Sequence, residues 1–251
     1  MLGTPPSTLS IASDVGAPGG CRPPPTSARG ADLRRPARSV TPRVVVALSA
    51  TALSERGWPT LAEDPLGAAA RAARSIGYAT TDRSVVVTHC LSERTSALLH
   101  RHLEQQIGRP VPIASDPETI ESVAARGTVV LCAIGDVDSG ADDVATDLAV
   151  TLDAEMLLLL IDSPVVWDGP TDEVSSRAVR SASLDDLGAL AVDTSFATAL
   201  EAAKRFVETT GRVAAVGAID HLEAMVVGEG GTRIRADGAP AAFYGPQARS
   251  A

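Results

Sequence analysis

Lysine is almost absent from this chain. Of 22 Lys and Arg in 251 residues only Lys204 is a lysine, so chemistry that needs several ammonium groups around one phosphate has a single residue to draw on. Aromatic residues are scarce too, at 3%. The core is left to Ala, Val, Leu and Ile, and stacking platforms for single-stranded nucleic acid are lacking. With a formal charge of −9 and a pI near 4.9 there is no excess of cations to displace counterions. No nucleic-acid partner is expected. The three cysteines, Cys21, Cys90 and Cys132, are far apart and form no CxxC pair. That excludes a cysteine-built zinc site and a disulfide framework, and it points to a reducing, cytoplasmic setting. No apolar run approaches the ~18 residues of a membrane span, so no membrane partner is expected.

What is present reads as a globular domain behind a biased leader. Hydrophobic residues make up 45% and charged residues 21%. Residues 1–42 are rich in Pro, Ser, Gly and Arg, include Pro23-Pro24-Pro25, and have no apolar periodicity. Burial cannot offset their ordering entropy, so a disordered tail is expected. The leader also lacks the continuous apolar stretch of a secretory signal.

From Arg43 onward strands and helices alternate. Val44 to Leu48 is a short continuous apolar run, typical of a strand covered on both faces. Asp64-Pro65 supplies an N-cap and a first-turn proline for a helix predicted to end at Gly77. Val85 to Thr88 is a second strand. Ser92 caps a helix with the apolar stripe Ala97, Leu98, Leu99, Leu103 and Ile107. Asp116-Pro117 opens another helix that stops at Gly127, and Thr128 to Ile134 is a third strand. In the second half Asp142 to Leu152 reads as a helix and Met156 to Ile161 as the most apolar strand. Ser183 caps a helix with Leu184, Leu187 and Leu190. A longer helix opens at Thr194 or Ser195 and closes at Gly211. Val213 to Val216, Asp220 to Val226 and Thr232 to Arg235 follow as strand, short helix and strand. This alternation predicts an α/β fold: a mostly parallel sheet with helices on both faces. Ligands of such sheets sit beyond the carboxyl ends of the strands, here the loops after Leu48, Thr88, Ile134 and Ile161.

Those segments resemble the carbamate kinases of the amino acid kinase superfamily. Val44 to Leu53 is similar to that family's opening VVALGGNAL, and Val85 to Cys90 to the strand entering its HGNGPQ loop. Glu118-Thr119-Ile120 through Thr128-Val129-Val130 resembles the helix and strand before its SGGGG loop. Asp153 to Leu160 looks like its DADxLLxLT strand, and Leu200 to Ile234 is close to its C-terminal strand-helix-strand unit. The resemblance implies a three-layer α/β/α sandwich of the amino acid kinase type. It also implies ATP and Mg2+ as cofactors, a small-molecule acid as substrate, and a homodimer. The expected layout is a tail at 1–42, a kinase-like domain at 43–236 and a flexible tail at 237–251. Within the domain, 43–140 corresponds to the substrate-type lobe and 141–236 to the nucleotide-type lobe. One helix and a short strand between Leu91 and Asp116 replace the family's long lid insertion, so the first lobe is truncated.

The loops depart from the family pattern. Gly-Gly-Asn is replaced by Ser49-Ala50-Thr51, whose hydroxyls can still donate to an anion. His89 matches, but Cys90-Leu91-Ser92-Glu93-Arg94 replaces Gly-Asn-Gly-Pro-Gln. Ser92-Glu93 reads as the start of a surface helix, His89 as either a titrating strand-end group or a structural histidine. Cys90 has no histidine and acid at a nucleophile's spacing. The glycine loop retains Gly135. Asp147 matches the DKD motif without its lysine. Asp162 and Ser163 begin the nucleotide-side loop, with Pro164 in place of the second aspartate. Ser195 opens the Ser-Met-x-Pro-Lys segment, and Ala199 stands where its lysine belongs. Lys204, five residues on, is rotated by about 140° on a helix and reads as a solvated charge near Glu201 and Glu208. No residue is assigned a catalytic role and no metal site is assigned.

Phosphoryl transfer needs cations and backbone N–H groups around the phosphates. The expected function is therefore a carbamate kinase-like protein with weak or no ATP:carbamate phosphotransferase activity, a small-molecule binder or non-catalytic subunit. The alternatives are an active kinase for carbamate or another small carboxylate, with Arg94, Arg109 or Arg126 in place of lysine, and a purely structural module. Deleting residues 1 to about 41 is expected to leave the melting temperature unchanged by calorimetry; a loss of several degrees would show that the leader packs.

Overall fold

The computed structural model describes residues 41–49, 51–53, 64–126, 129–134, 141–170 and 175–245. The leader, apart from Thr41 and Pro42, lies outside them, as do Ala50, Gly127, Thr128 and Gly135. Nine strands form one sheet among the described residues. They are β1 (Arg43–Leu48), β2 (Ser84–His89), β3 (Val129–Ala133), β4 (Met156–Leu160), β5 (Trp167–Asp168), β6 (Arg177–Ser183), β7 (Val213–Gly217), β8 (Thr232–Arg235) and β9 (Ala242–Phe243). The order is β3-β2-β1-β4-β7-β8-β6-β5, with β9 also on β6. The first five positions are parallel. β8 runs antiparallel to β7, and β6 is parallel to β8.

Alternate residues of the central strands are buried on opposite faces, and both sets are apolar, as a sheet covered twice requires. Val44, Val46, Leu48, Val85 and Val87 pack with α1 (Pro65–Ala79), α2 (Glu93–Ile107) and α7 (Leu222–Val227). Val45, Ala47, Val86, Leu157 and Leu159 pack with α3 (Pro117–Ala124), α4 (Ala141–Thr151) and α6 (Ala197–Thr210). The result is the three-layer α/β/α sandwich. Alanine sets the spacing: Ala68, Ala69, Ala72 and Ala73 of α1, and Ala199, Ala202 and Ala203 of α6, bring the helix backbones near the strands.

Helix ends follow local chemistry. Asp64, Ser92 and Asp116 accept hydrogen bonds from Gly67, Thr95 and Thr119 N–H groups, each satisfying an orphan donor of the first turn. Gly108 and Gly211 close α2 and α6 at φ 71° and 68°, a region glycine enters without strain.

Several sequence expectations are corrected. The first helix does not stop at Gly77 but runs to Ala79. A Cβ at position 77 would stand 2.5 Å from Gln106 Cγ, so this glycine serves the approach of α1 to α2. Ala97 is exposed, outside the buried stripe. The helix after Ser183 is a single turn, α5 (Leu184–Leu187), held by a reciprocal Ser183–Asp186 capping box. Asp193, not Thr194 or Ser195, caps the segment leading to α6, through a one-turn 3-10 helix at Thr194–Phe196. β6 was unforeseen because Arg-Ala-Val-Arg-Ser-Ala-Ser shows no clean period-2 pattern. Within the segment expected to be a flexible C-terminal tail, β9 pairs with β6 and the Tyr244 hydroxyl donates to Gly231 O.

Phe206 is fully buried in the α6-side core, in the same cluster as Ala199, Ala202 and Ala203 of its own helix. Phe206→Ala is expected to cost about 3–5 kcal/mol in denaturant unfolding; a loss under about 1 kcal/mol would show that the alanine-rich core collapses onto the cavity.

Candidate functional site

The chain moves outward from β1 to β2 to β3 and returns to β4 on the other side of β1. That reversal opens a crevice at the carboxyl ends of β1 and β4, the place where such sheets bind ligands. Ser49 leaves β1 there. Its Oγ lies 2.8 Å from Thr51 Oγ1 and accepts the Ala52 N–H at 3.2 Å, so it starts the short turn Thr51–Leu53. Thr51 is exposed and able to meet a ligand.

His89 ends β2 between Leu48 and Ala133. It is 1% exposed, with Nε2 3.3 Å from Ser96 Oγ on α2. Its Nδ1 is buried and has no hydrogen-bond partner among the described residues. Burial pushes the imidazole below its usual pKa, so it is neutral at pH 7. Ser96 was not foreseen; the seven-residue spacing to His89 gives no recognisable signal. Cys90 is an exposed free thiol, and Ser92 and Glu93 begin α2 as an ordinary capped helix.

At the end of β4, Asp162 is exposed. Ser163 Oγ donates to Val165 O at 2.7 Å and accepts from Trp167 Nε1 at 3.3 Å, so its hydroxyl holds the turn. Beyond it Val165 and Val166 are buried, and the Val166 N–H donates to the buried Thr232 hydroxyl. The loop thus folds back onto β8. Pro164 O would stand 2.9 Å from a Cβ on Gly217, a contact only glycine permits.

The remaining candidates separate from this cluster. Asp147 lies inside α4, exposed, 3.2 Å from Arg205 of α6. Its carboxylate joins two helices rather than facing the strand ends. Ser195 is exposed, and its N–H is bound by Asp193 at 2.9 Å. Ala199 is 3% exposed and packed in the α6-side core. Lys204 lies 4.0 Å from Glu208, one turn on. The fold therefore brings together Ser49, Thr51, His89, Asp162 and Ser163 at neighbouring strand ends; Ala50 and Gly135 are outside the described residues.

Carbamate kinase of Escherichia coli strain K12 is 32% identical to this chain over 151 residues, 53% of this chain and 50% of its own length. Giardia lamblia carbamate kinase bound to AMP-PNP superposes with a TM-score of 0.62 at 16% identity, over 78% of this chain and 99% of that one. The chain is thus carbamate kinase-like: it resembles that enzyme in sequence over about half its length and carries the same fold. UMP kinase from Bacillus anthracis shares the fold as well, with a TM-score of 0.63 at 14% identity over 81% of this chain and 98% of that one. No family model matches the chain. This carbamate kinase-like chain spans about half the length of the curated relatives it matches.

One titratable group near the crevice was not singled out from the sequence. Asp142 lies in the first turn of α4, the helix that follows β3. Burial, aided by the neighbouring Asp143 carboxylate, raises its pKa to about 6. The adjacent Asp142-Asp143 pair was the available signal, read only as a helix start. A folded-state pKa above the unfolded one favours folding while the group is protonated, and that advantage disappears as pH rises through about 6. Asp142→Asn is accordingly expected to be more stable than the parent at pH 7, by about 1–3 kcal/mol. Below pH ~4 the two should unfold alike, because the carboxyl is then neutral in both states. Equal stability at pH 7 would show that the carboxylate is well solvated.

Proposed function

We propose that this protein has weak or no ATP:carbamate phosphotransferase activity. In this reading it is a small-molecule-binding or non-catalytic member of its family, acting as a cytoplasmic homodimer. The observation that carries the reading is the fate of the one ammonium. The position where the family pattern has lysine is Ala199, buried in the core, and Lys204 is turned toward Glu208. Transfer of a phosphoryl group depends on cations that spread the developing charge.

The family implies ATP and Mg2+. Among the described site residues, the apolar strand β4 and backbone groups suit an adenosine end. The triphosphate does not fit: Pro164 offers no N–H, Ser163's hydroxyl is committed to Val165 O, and among the described residues no cation lies within 4.0 Å of Asp162. Among the described residues no three His, Cys, Asp or Glu side chains converge as a metal site. A phosphate buried there would lose water without gaining partners, a costly exchange.

The test is a coupled assay for ADP with ATP and carbamate, together with titration calorimetry of ATP against adenosine. No turnover above background is expected, with the two ligands binding alike. Robust turnover abolished by Asp162→Asn, or ATP binding more than about 100-fold tighter (roughly 2.7 kcal/mol), would overturn the proposal in favour of an active kinase. The exposed Arg94, five residues beyond His89, would then be the first cation to replace.

A further inference from the structure

The opposite edge of the sheet, where β1, β4 and β7 begin, holds a solvent-open pocket of about 420 Å³ lined by Arg43, Glu121, Asp153, Glu155 and Arg212 among others. That volume is within the range of small-molecule sites. One of its walls is rigid. Asp153 turns the chain from α4 into β4 at φ 51°, and its carboxylate lies 2.6 Å from Arg212 Nη2. Arg212 Nη1 donates to Asp153 O and Ala154 O. These two charges neutralise each other and fix the turn.

The other three charges are not neutralised. Arg43 Nη1 donates to Leu152 O, and among the described residues no carboxylate lies within 4.0 Å of its guanidinium. Glu121, on α3, and Glu155, just before β4, likewise have no cation within 4.0 Å among the described residues. One pocket thus presents a guanidinium and two carboxylates that are too far apart to pair with one another. A simple anion would meet the two carboxylates, and a simple cation would meet Arg43. The electrostatic complement is a molecule that carries both signs.

We propose that this pocket binds a small zwitterion of the α-amino acid class, with its carboxylate on Arg43 and its ammonium between Glu121 and Glu155. The site lies at the other end of the strands from the crevice at β1 and β4 and does not rest on the function proposed for that crevice.

The test uses the full chain with each of the standard amino acids at about 10 mM in thermal-shift measurements, since a ligand of the native state raises the melting temperature by mass action. The strongest is then compared by calorimetry with its carboxamide, which keeps only the cation, and with its deaminated acid, which keeps only the anion. At least one amino acid should stabilise the protein, and both analogues should bind at least about tenfold more weakly. Glu155→Gln and Arg43→Gln should each weaken binding by about tenfold or more. Glu155 is exposed, so its variant keeps the fold testable if loss of the Arg43–Leu152 hydrogen bond unfolds the other. No shift with any amino acid, equal binding by either analogue, or undiminished binding by Glu155→Gln would overturn the proposal.

Discussion

Close approach between alanine-faced helices and a doubly covered sheet is the constraint on which the rest of this molecule depends. β1 and β4 are buried along nearly their whole length, with helices on each side. Few aromatic rings are available to fill a wide gap, so the layers are drawn together by small side chains. Leu48, Leu53, Ile76, Leu99, Leu103 and Phe206 fill what remains. Interiors packed this way respond to single methylenes, because every void costs contacts that nothing else replaces.

The same closeness decides what the carboxyl edge can offer. α2 sits near enough to β2 for Ser96 to reach His89, which leaves the imidazole neutral and out of water. α6 sits near enough to the sheet for position 199 to be interior, where only a small apolar side chain fits. The loop after β4 is pressed on Gly217 and tied to Thr232. Each of these contacts commits a group at the carboxyl edge to the fold's own packing or hydrogen bonding. The strands match the resembled pattern, while the Ser163 hydroxyl is engaged within its own loop and Ala199 packs in the core.

Much of the framework was legible because its signals are local. Asp64-Pro65, Ser92 and Asp116-Pro117 each name a helix start through one side-chain-to-backbone hydrogen bond, and the Val and Leu runs name the strands. What was not legible depends on distant partners. Gly77 reads as a stop until Gln106 is seen beside it. Asp147 matches a motif position by sequence, yet helix α4 extends through it and Arg205 claims its carboxylate. β6 carries two arginines and two serines because its strand neighbours, not its own pattern, make it a strand. Within the site, His89 was found because it matches the histidine of the resembled loop, whereas Ser96 and the raised pKa of Asp142 arise from burial that no spacing encodes.

The position of β6 bears on how the chain is made. Two of its three neighbours, β8 and β9, come from later in the sequence, the second at residues 242–243. Four of the five parallel strands, β1 through β4, are complete by residue 160. On a ribosome those strands can assemble while β6 has emerged with only the two-residue β5 available to pair with it. Until the last described strand is released, a row of backbone donors and acceptors along β6 lacks its pairs, the state in which strand edges recruit other chains. The segment that pairs last with β6 is only two residues long, so a short, late-emerging piece of chain covers that vulnerable edge.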